Sequence, residues 1–260
     1  AILERLVHCP VHGTETLTAL CGELEDHHRL RTGHLRAQTK LTLQAKAACR
    51  ELVNDDKVEG GKLFAVIYRA WSGKGQHVVV TPDSNAFPAP LIDKATKYII
   101  PFLVAHDAFK DEMTIHERSL RTLSQSLPVA EWADNVRGLG DLSLGKIIGE
   151  TRNLDIYSNP AKVWKRMGLG LVDGQRQRRV TDAELAVRMG YDAHRRSLMF
   201  IVGDSLLKLN QDGPYMTYYK REKARQLTKV LGADMRITSP KDGTVRVLKA
   251  GEPLPLFLAH

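Results

Sequence analysis

The sequence predicts a mainly α protein, with a long helical hairpin or coiled coil followed by a helix-hairpin-helix module that carries a small β-ribbon. Three observations lead there. Residues 14–53 contain no proline, and Gly22 and Gly33 are their only weak helix formers. Ile92, Ala95, Ile99, Phe102, His106, Phe109, Met113, His116, Leu120, Leu123 and Leu127 recur at alternating spacings of three and four, which is a heptad seam. After Pro128 the elements shorten and glycine becomes frequent, so a domain boundary is expected near residue 130. The expected layout is a helical region over 1–130, a compact module over 131–225, and a tail with a β-hairpin over 226–260.

The first helix can be capped by Thr14 or Thr16, and Leu41, Ala45, Ala48 and Leu52 give its end helical spacing. Between Asp26 and Thr32 the apolar signal fades, which predicts a solvated stretch. Lys62–Trp71 reads as a short helix. Ser72–Gln76 reads as a loop, His77–Thr81 as a strand and Pro82–Pro90 as a second loop. Pro101 lies inside the heptad segment and should kink or restart it, and Pro128 should end it. Two long helices with an irregular connection predict an antiparallel hairpin, or a coiled coil that makes a homodimer. His106 and His116 on the seam read as polar interruptions that help to fix register.

Composition narrows the function classes. The chain is 43% hydrophobic and 26% charged, ordinary for a soluble globular protein, and no run approaches the ~18 apolar residues of a membrane span. Three cysteines, Cys9, Cys21 and Cys49, predict reduced thiols and a cytoplasmic setting rather than a disulfide framework. Ala1 is not an initiator methionine, which leaves room for a leading segment. The net charge is +8, and residues 161–225 alone hold fourteen Lys and Arg against seven Asp and Glu. An excess confined to one segment predicts an interaction face, with nucleic acid as the first candidate partner.

The basic segment follows Val136-Arg137-Gly138-Leu139-Gly140-Asp141-Leu142-Ser143. Here a tight turn should precede a helix capped by Asp141 or Ser143. Glycine admits positive φ and exposes backbone N–H groups, and the helix start adds unpaired N–H groups and its dipole. Gly138, Leu139, Gly140 and Ser143 could therefore hold a phosphate, with Lys146 reaching a neighbouring one. Asn159-Pro160 starts a helix bearing Lys162, Trp164, Lys165 and Arg166, in which Trp164 reads as a core anchor. Leu171–Val180 reads as a β-hairpin with an Asp173-Gly174 turn, and alternation puts Arg176 and Arg178 on one face, beside Arg179. Thr181 and Glu184 form a capping box for a helix that Gly190 ends. Asp192 caps the next helix, whose first turn carries His194, Arg195 and Arg196. Cations there oppose the helix dipole, and an anionic partner would relieve that cost. Tyr218–Arg225 is a further basic helical piece. Met235–Lys249 reads as a β-hairpin around Pro240–Gly243.

VRGLGDLSLGKIIGE, NLDIYSNPAKVWKRMGL and GYDAHRRSLMF, in this order and spacing, resemble the C-terminal domain of the DEDD/serine insertion-sequence transposases, a family guided by a bridge RNA. The resemblance is specific over residues 136–207. It implies DNA binding by a helix-hairpin-helix that grips backbone without reading sequence. The family cuts DNA with a RuvC-like domain bearing four acidic residues and with a serine in a Ser-Gly pair. This chain opens directly into helices, without an acid-bearing strand, and the place of the serine reads Val172-Asp173-Gly174. No catalytic residue is therefore carried over.

Other chemistry is weaker. Cys9, His12 and Cys21 could contribute to a zinc site, but no second pair has matched spacing. Ser72–Gly75 lacks the glycine and Lys-Ser/Thr pair of a P-loop. No cofactor is expected. The expectation is a cytoplasmic, nucleoid-associated DNA-binding protein of bacterial or phage origin, catalytically incomplete, with duplex DNA as partner and RNA as a second. The alternatives are an active transposase or recombinase fragment, and a coiled-coil assembly protein whose basic face binds an acidic protein.

Overall fold

The structure is a computed structural model that describes residues 14–74, 87–173, 175–209, 213–230, 232, 234–238 and 245–252. It is mainly α, as the sequence predicts. The expected strand at 77–81, most of the loops around it, and Cys9 and His12 lie outside the described residues. Two compact units are present. One comprises Ala1–Ala133 with Asp141–Leu198, the other Asp134–Gly140 with Met199–His260. Residues 141–198, most of the basic module, belong to the same unit as the long helices.

In the first unit, α1 (Thr14–Glu51) and α3 (Ala89–Gln125) form an antiparallel hairpin. Rising numbers on α1 meet falling numbers on α3: His27 lies against His116, and His34 against Phe109. The heptad seam is thus filled within the chain. Its buried positions drift from the predicted register, because Leu103 rather than Phe102 is fully buried, and Ser124 rather than Leu123. A straight helix with 3.6 residues per turn rotates away from a 3.5-residue repeat. Pro101 does not restart the helix, and α3 is continuous through it. Pro88 precedes α3 as its N-cap and Pro90 occupies the first turn, so the helix starts earlier than expected. Helix α2 (Lys57–Lys74) is longer than predicted, since Asp56 caps its start through Val58 and Glu59 and Ser72–Lys74 stay helical.

Three helices share an apolar core at one end of the hairpin. It joins Ala45 and Cys49 of α1, Leu63, Phe64, Ile67 and Trp71 of α2, and Ile92, Ala95, Ile99 and Leu103 of α3. Beyond Leu103, α3 buries nothing fully until Leu120. Over the same stretch α1 buries His28, Thr32 and Gln38. The fading apolar signal at 26–32 therefore marks polar packing, not a solvated stretch.

Helix α4 (Ala130–Asp134) leads to the turn, and α5 (Asp141–Thr151) then packs on both α1 and α3. Gly145 and Gly149 make that contact. A methyl group on Gly145 would stand 2.6 Å from Ser124 Oγ, and one on Gly149 would stand 2.6 Å from His28 Cβ. A 3₁₀ turn (Leu154–Ile156), α6 (Pro160–Arg166), the two-stranded ribbon β1 (Leu171–Val172) and β2 (Gln175–Arg176), and α7 (Ala183–Met189) follow. Asp173 has φ 53°, which fits the Asp-Gly turn expected there. Asn159 caps α6 through Lys162 N–H, and Gly190 ends α7 in the left-handed region, both as predicted. The cap of α7 is Asp182, bonded to Leu185 N–H, one residue beyond the expected Thr181.

Helix α8 (Ala193–Leu209) starts in the first unit and ends in the second. The second unit also holds α9 (Pro214–Leu227) and the antiparallel pair β3 (Met235–Thr238) and β4 (Val245–Leu248), the predicted tail hairpin. Among the described residues no helix is long and apolar enough to cross a membrane.

Candidate functional site

The basic module is assembled around two side chains that local sequence patterns do not single out. The first is Gln177, which is 1% exposed. Its Oε1 accepts from Gly170 N–H at 2.8 Å, and its Nε2 donates to Lys165 O at 3.0 Å and Met189 O at 2.6 Å. One amide thus ties the ribbon to the ends of α6 and α7. Arg196 Nη1 donates to Gln177 O at 2.9 Å, which adds α8. With Gln177 turned inward, Arg176 and Arg178 share the opposite face, as alternation predicts, and that face is the exposed one.

The second is Glu150, at the end of α5. Its Oε2 accepts from Arg195 Nε at 2.8 Å, and its Oε1 lies 3.0 Å from His28 Nε2 and 3.7 Å from His194 Nε2. Arg166 Nε donates to the Glu150 carbonyl at 3.2 Å. Burial alone would raise the Glu150 pKa, but the hydrogen bonds from His28 and Arg195 and their charges outweigh it and hold the carboxyl at about 2. Burial lowers the His194 pKa, against the opposing pull of Glu150. The anion expected to relieve the cationic first turn of α8 is therefore inside the protein. Asp192 adds its predicted cap, accepting from His194 and Arg195 N–H at 2.8 and 3.1 Å.

The glycine turn has its own structural demand. Gly138 has φ 93°, and a methyl group there would lie 2.7 Å from the Ser205 carbonyl oxygen of α8. Both facts require glycine. Gly140 has open space around it. Leu139 is 8% exposed, and its N–H already donates to Val136 O at 3.0 Å. Asp141 lies inside α5 instead of capping it, and its carboxylate accepts from Gln125 Nε2 at 2.8 Å. Ser143 is half-buried in the first turn. Lys146 is turned toward the hairpin. Burial, helped by the charges of Arg31 and Arg121 and opposed by Glu117, brings its pKa down to about 8. Arg31 and Glu117 are themselves paired at 2.7 Å.

The twelve residues expected to touch DNA thus fall into groups. Arg166, Arg195 and Arg196 bond to the protein's own carbonyls and carboxylate. Gly138, Leu139 and Gly140 form the turn, with Ser143 and Lys146 in the helix that follows. Lys165, Arg176, Arg178 and Arg179 are exposed, as is Lys162, and among the described residues their side chains have no ion-pair partner. Trp164 is 59% exposed, so the expectation of a core anchor is corrected: the buried side chain is that of Met167, the C-cap of α6, which is 2% exposed. Gly145 and Gly149, four residues apart, were a readable sign that α5 presses on a neighbour, and Glu150 follows them. Comparison with protein-family models, curated proteins and solved structures returns no match to this chain.

Proposed function

We propose that the protein binds nucleic acid, duplex DNA foremost, by gripping phosphates with the exposed cations of α6 and the ribbon, and that it is a catalytically incomplete relative of the insertion-sequence transposases it resembles. The observation that carries the reading is the contrast within one module. Arg188, Arg195 and Arg196 have partners, whereas Lys162, Lys165, Arg176, Arg178 and Arg179 stand exposed and, among the described residues, without a carboxylate. An exposed tryptophan between two of these lysines adds a surface for base stacking. Gln177 holds the ribbon rigidly, which lowers the cost of presenting its arginines. Because the heptad seam is filled by α1, any homodimer uses another face.

Anisotropy titration against unrelated duplexes tests this. Affinity should fall steeply with salt, and the Arg176→Ala/Arg178→Ala/Arg179→Ala variant should lower the log–log salt slope by about 3. No binding to duplex, single strand or RNA at low salt would overturn the reading. Mg²⁺-dependent cleavage of DNA would replace it with the active-recombinase alternative.

A further inference from the structure

We propose that His27, His34, Glu112 and His116 form a structural site for one divalent transition-metal ion, zinc in the first place, that clamps α1 to α3 in the polar middle of the hairpin. His27 and His34 are two turns apart on α1, and Glu112 and His116 one turn apart on α3. These spacings put both pairs on facing surfaces. His27 Nδ1 is 2.9 Å from His116 Nδ1, and the His34 and His116 rings are stacked with centroids 5.3 Å apart. One ligand atom each from His34, Glu112 and His116 lie within 4.8 Å of one another. A tetrahedral zinc ion with Zn–N and Zn–O near 2.0–2.2 Å needs donor atoms about 3.3 Å apart, within reach of side-chain rotation.

His34, Glu112 and His116 supply two imidazoles and a carboxylate, and His27, which lies against His116 and outside that trio, would turn in to complete a four-ligand set, the composition of a structural site rather than of a catalytic one with an open position. Among the described residues the His34 ring makes no hydrogen bond and Glu112 no ion pair, so the contact the ion would replace is the one between His27 and His116. Phe109 stands against His34, with ring centroids 5.7 Å apart, and shields one side. The place also fits. Between Leu103 and Leu120, α3 buries no residue fully, so a metal would supply the cohesion that the apolar seam does not.

A second trio, His28, Glu150 and His194, has suitable atoms but a different environment. Both oxygens of Glu150 are engaged, one of them by Arg195, and Arg36 adds positive charge. That trio is an ion-pair node.

The experiment titrates the chelator-treated full chain with Zn²⁺ by calorimetry and with Co²⁺ by visible absorption. One ion per chain is expected, with the ligand-field bands of tetrahedral cobalt. His34→Asn and His116→Asn should each weaken binding by at least about ten-fold, since loss of even an outer-shell partner costs that much. Glu112→Gln, at an exposed position, gives the same direction of change without threatening the fold, which circular dichroism checks. His194→Asn should leave affinity unchanged. Absence of binding, or binding that survives the His34→Asn/His116→Asn double variant, would overturn the proposal. So would binding that is lost instead with Cys9→Ser.

Discussion

The two ends of the α1–α3 hairpin are held by opposite physics. At the end shared with α2, Ile67 and Ile99 are wholly buried, and the main polar contact is Trp71 Nε1 donating to Asp107 Oδ2 at 2.6 Å. At the other end, α1 meets α5 and α8 through a carboxylate, histidines and an arginine, and glycines bring the backbones together. The apolar end gains stability from area removed from water, which is indifferent to pH and needs no particular partner. The polar end is specific: each buried charge or N–H must find its own counterpart, or it costs more than it contributes. A hairpin built from one seam thus has a general-purpose end and an end that selects what docks on it.

The largest expected effect is at the apolar end. Ile99→Ala should cost about 2–5 kcal/mol in urea unfolding, and the loss should be the same at pH 7 and pH 5. A loss that depended on pH would break the contrast between the ends. At the polar end, Glu150→Gln should cost about 2 kcal/mol at pH 7, since it leaves Arg195 and His28 without their anion in a half-buried setting. The pH profile sharpens the point. The Glu150 pKa in the fold, about 2, lies below the ordinary 4.5, so the carboxylate contributes stability above pH 4.5 that is lost as pH falls toward 2. The wild-type stability should fall across that window and the Gln variant should fall less. Gly149→Ala should cost about 1–3 kcal/mol, because the new methyl meets His28 Cβ and the Leu24 carbonyl oxygen at under 3 Å. The smallest effect is that of His194. Burial lowers its pKa below the ordinary 6.5, so the fold takes up a proton there less readily than the unfolded chain, and stability falls as pH drops below about 6.5. His194→Asn should flatten stability near pH 6 by less than about 1 kcal/mol, read from unfolding midpoints at pH 7.5 and 5.5.

Sites that local chemistry controls were legible in advance. Asn159, Asp192 and Gly190 act as caps because a side-chain oxygen, or a residue free to take positive φ, satisfies its own neighbours' backbone. Trp164 was misread for want of the same locality: its amphipathic position on α6 says that one face is buried, not which. The cap shifted from Thr181 to Asp182 for a similar reason, as adjacent residues compete for one turn and carboxylate is the stronger acceptor.

By itself the sequence determined the helical class, the two long helices, a ribbon with Arg176 and Arg178 on one face, and the concentration of positive charge. These follow from periodicity, caps and composition, which act over a few residues. Only the tertiary structure decided that α5 lies against both long helices, that Glu150 neutralises Arg195 from 45 positions away, and that Gln177 holds three segments with one amide. Those outcomes depend on partners distant in the chain, and a buried polar group does not reveal its partner until the fold has chosen its neighbours. The arginines were all readable as cations. Which ones the protein keeps for itself, and which it leaves facing outward, was settled by where the carboxylates and carbonyls came to rest.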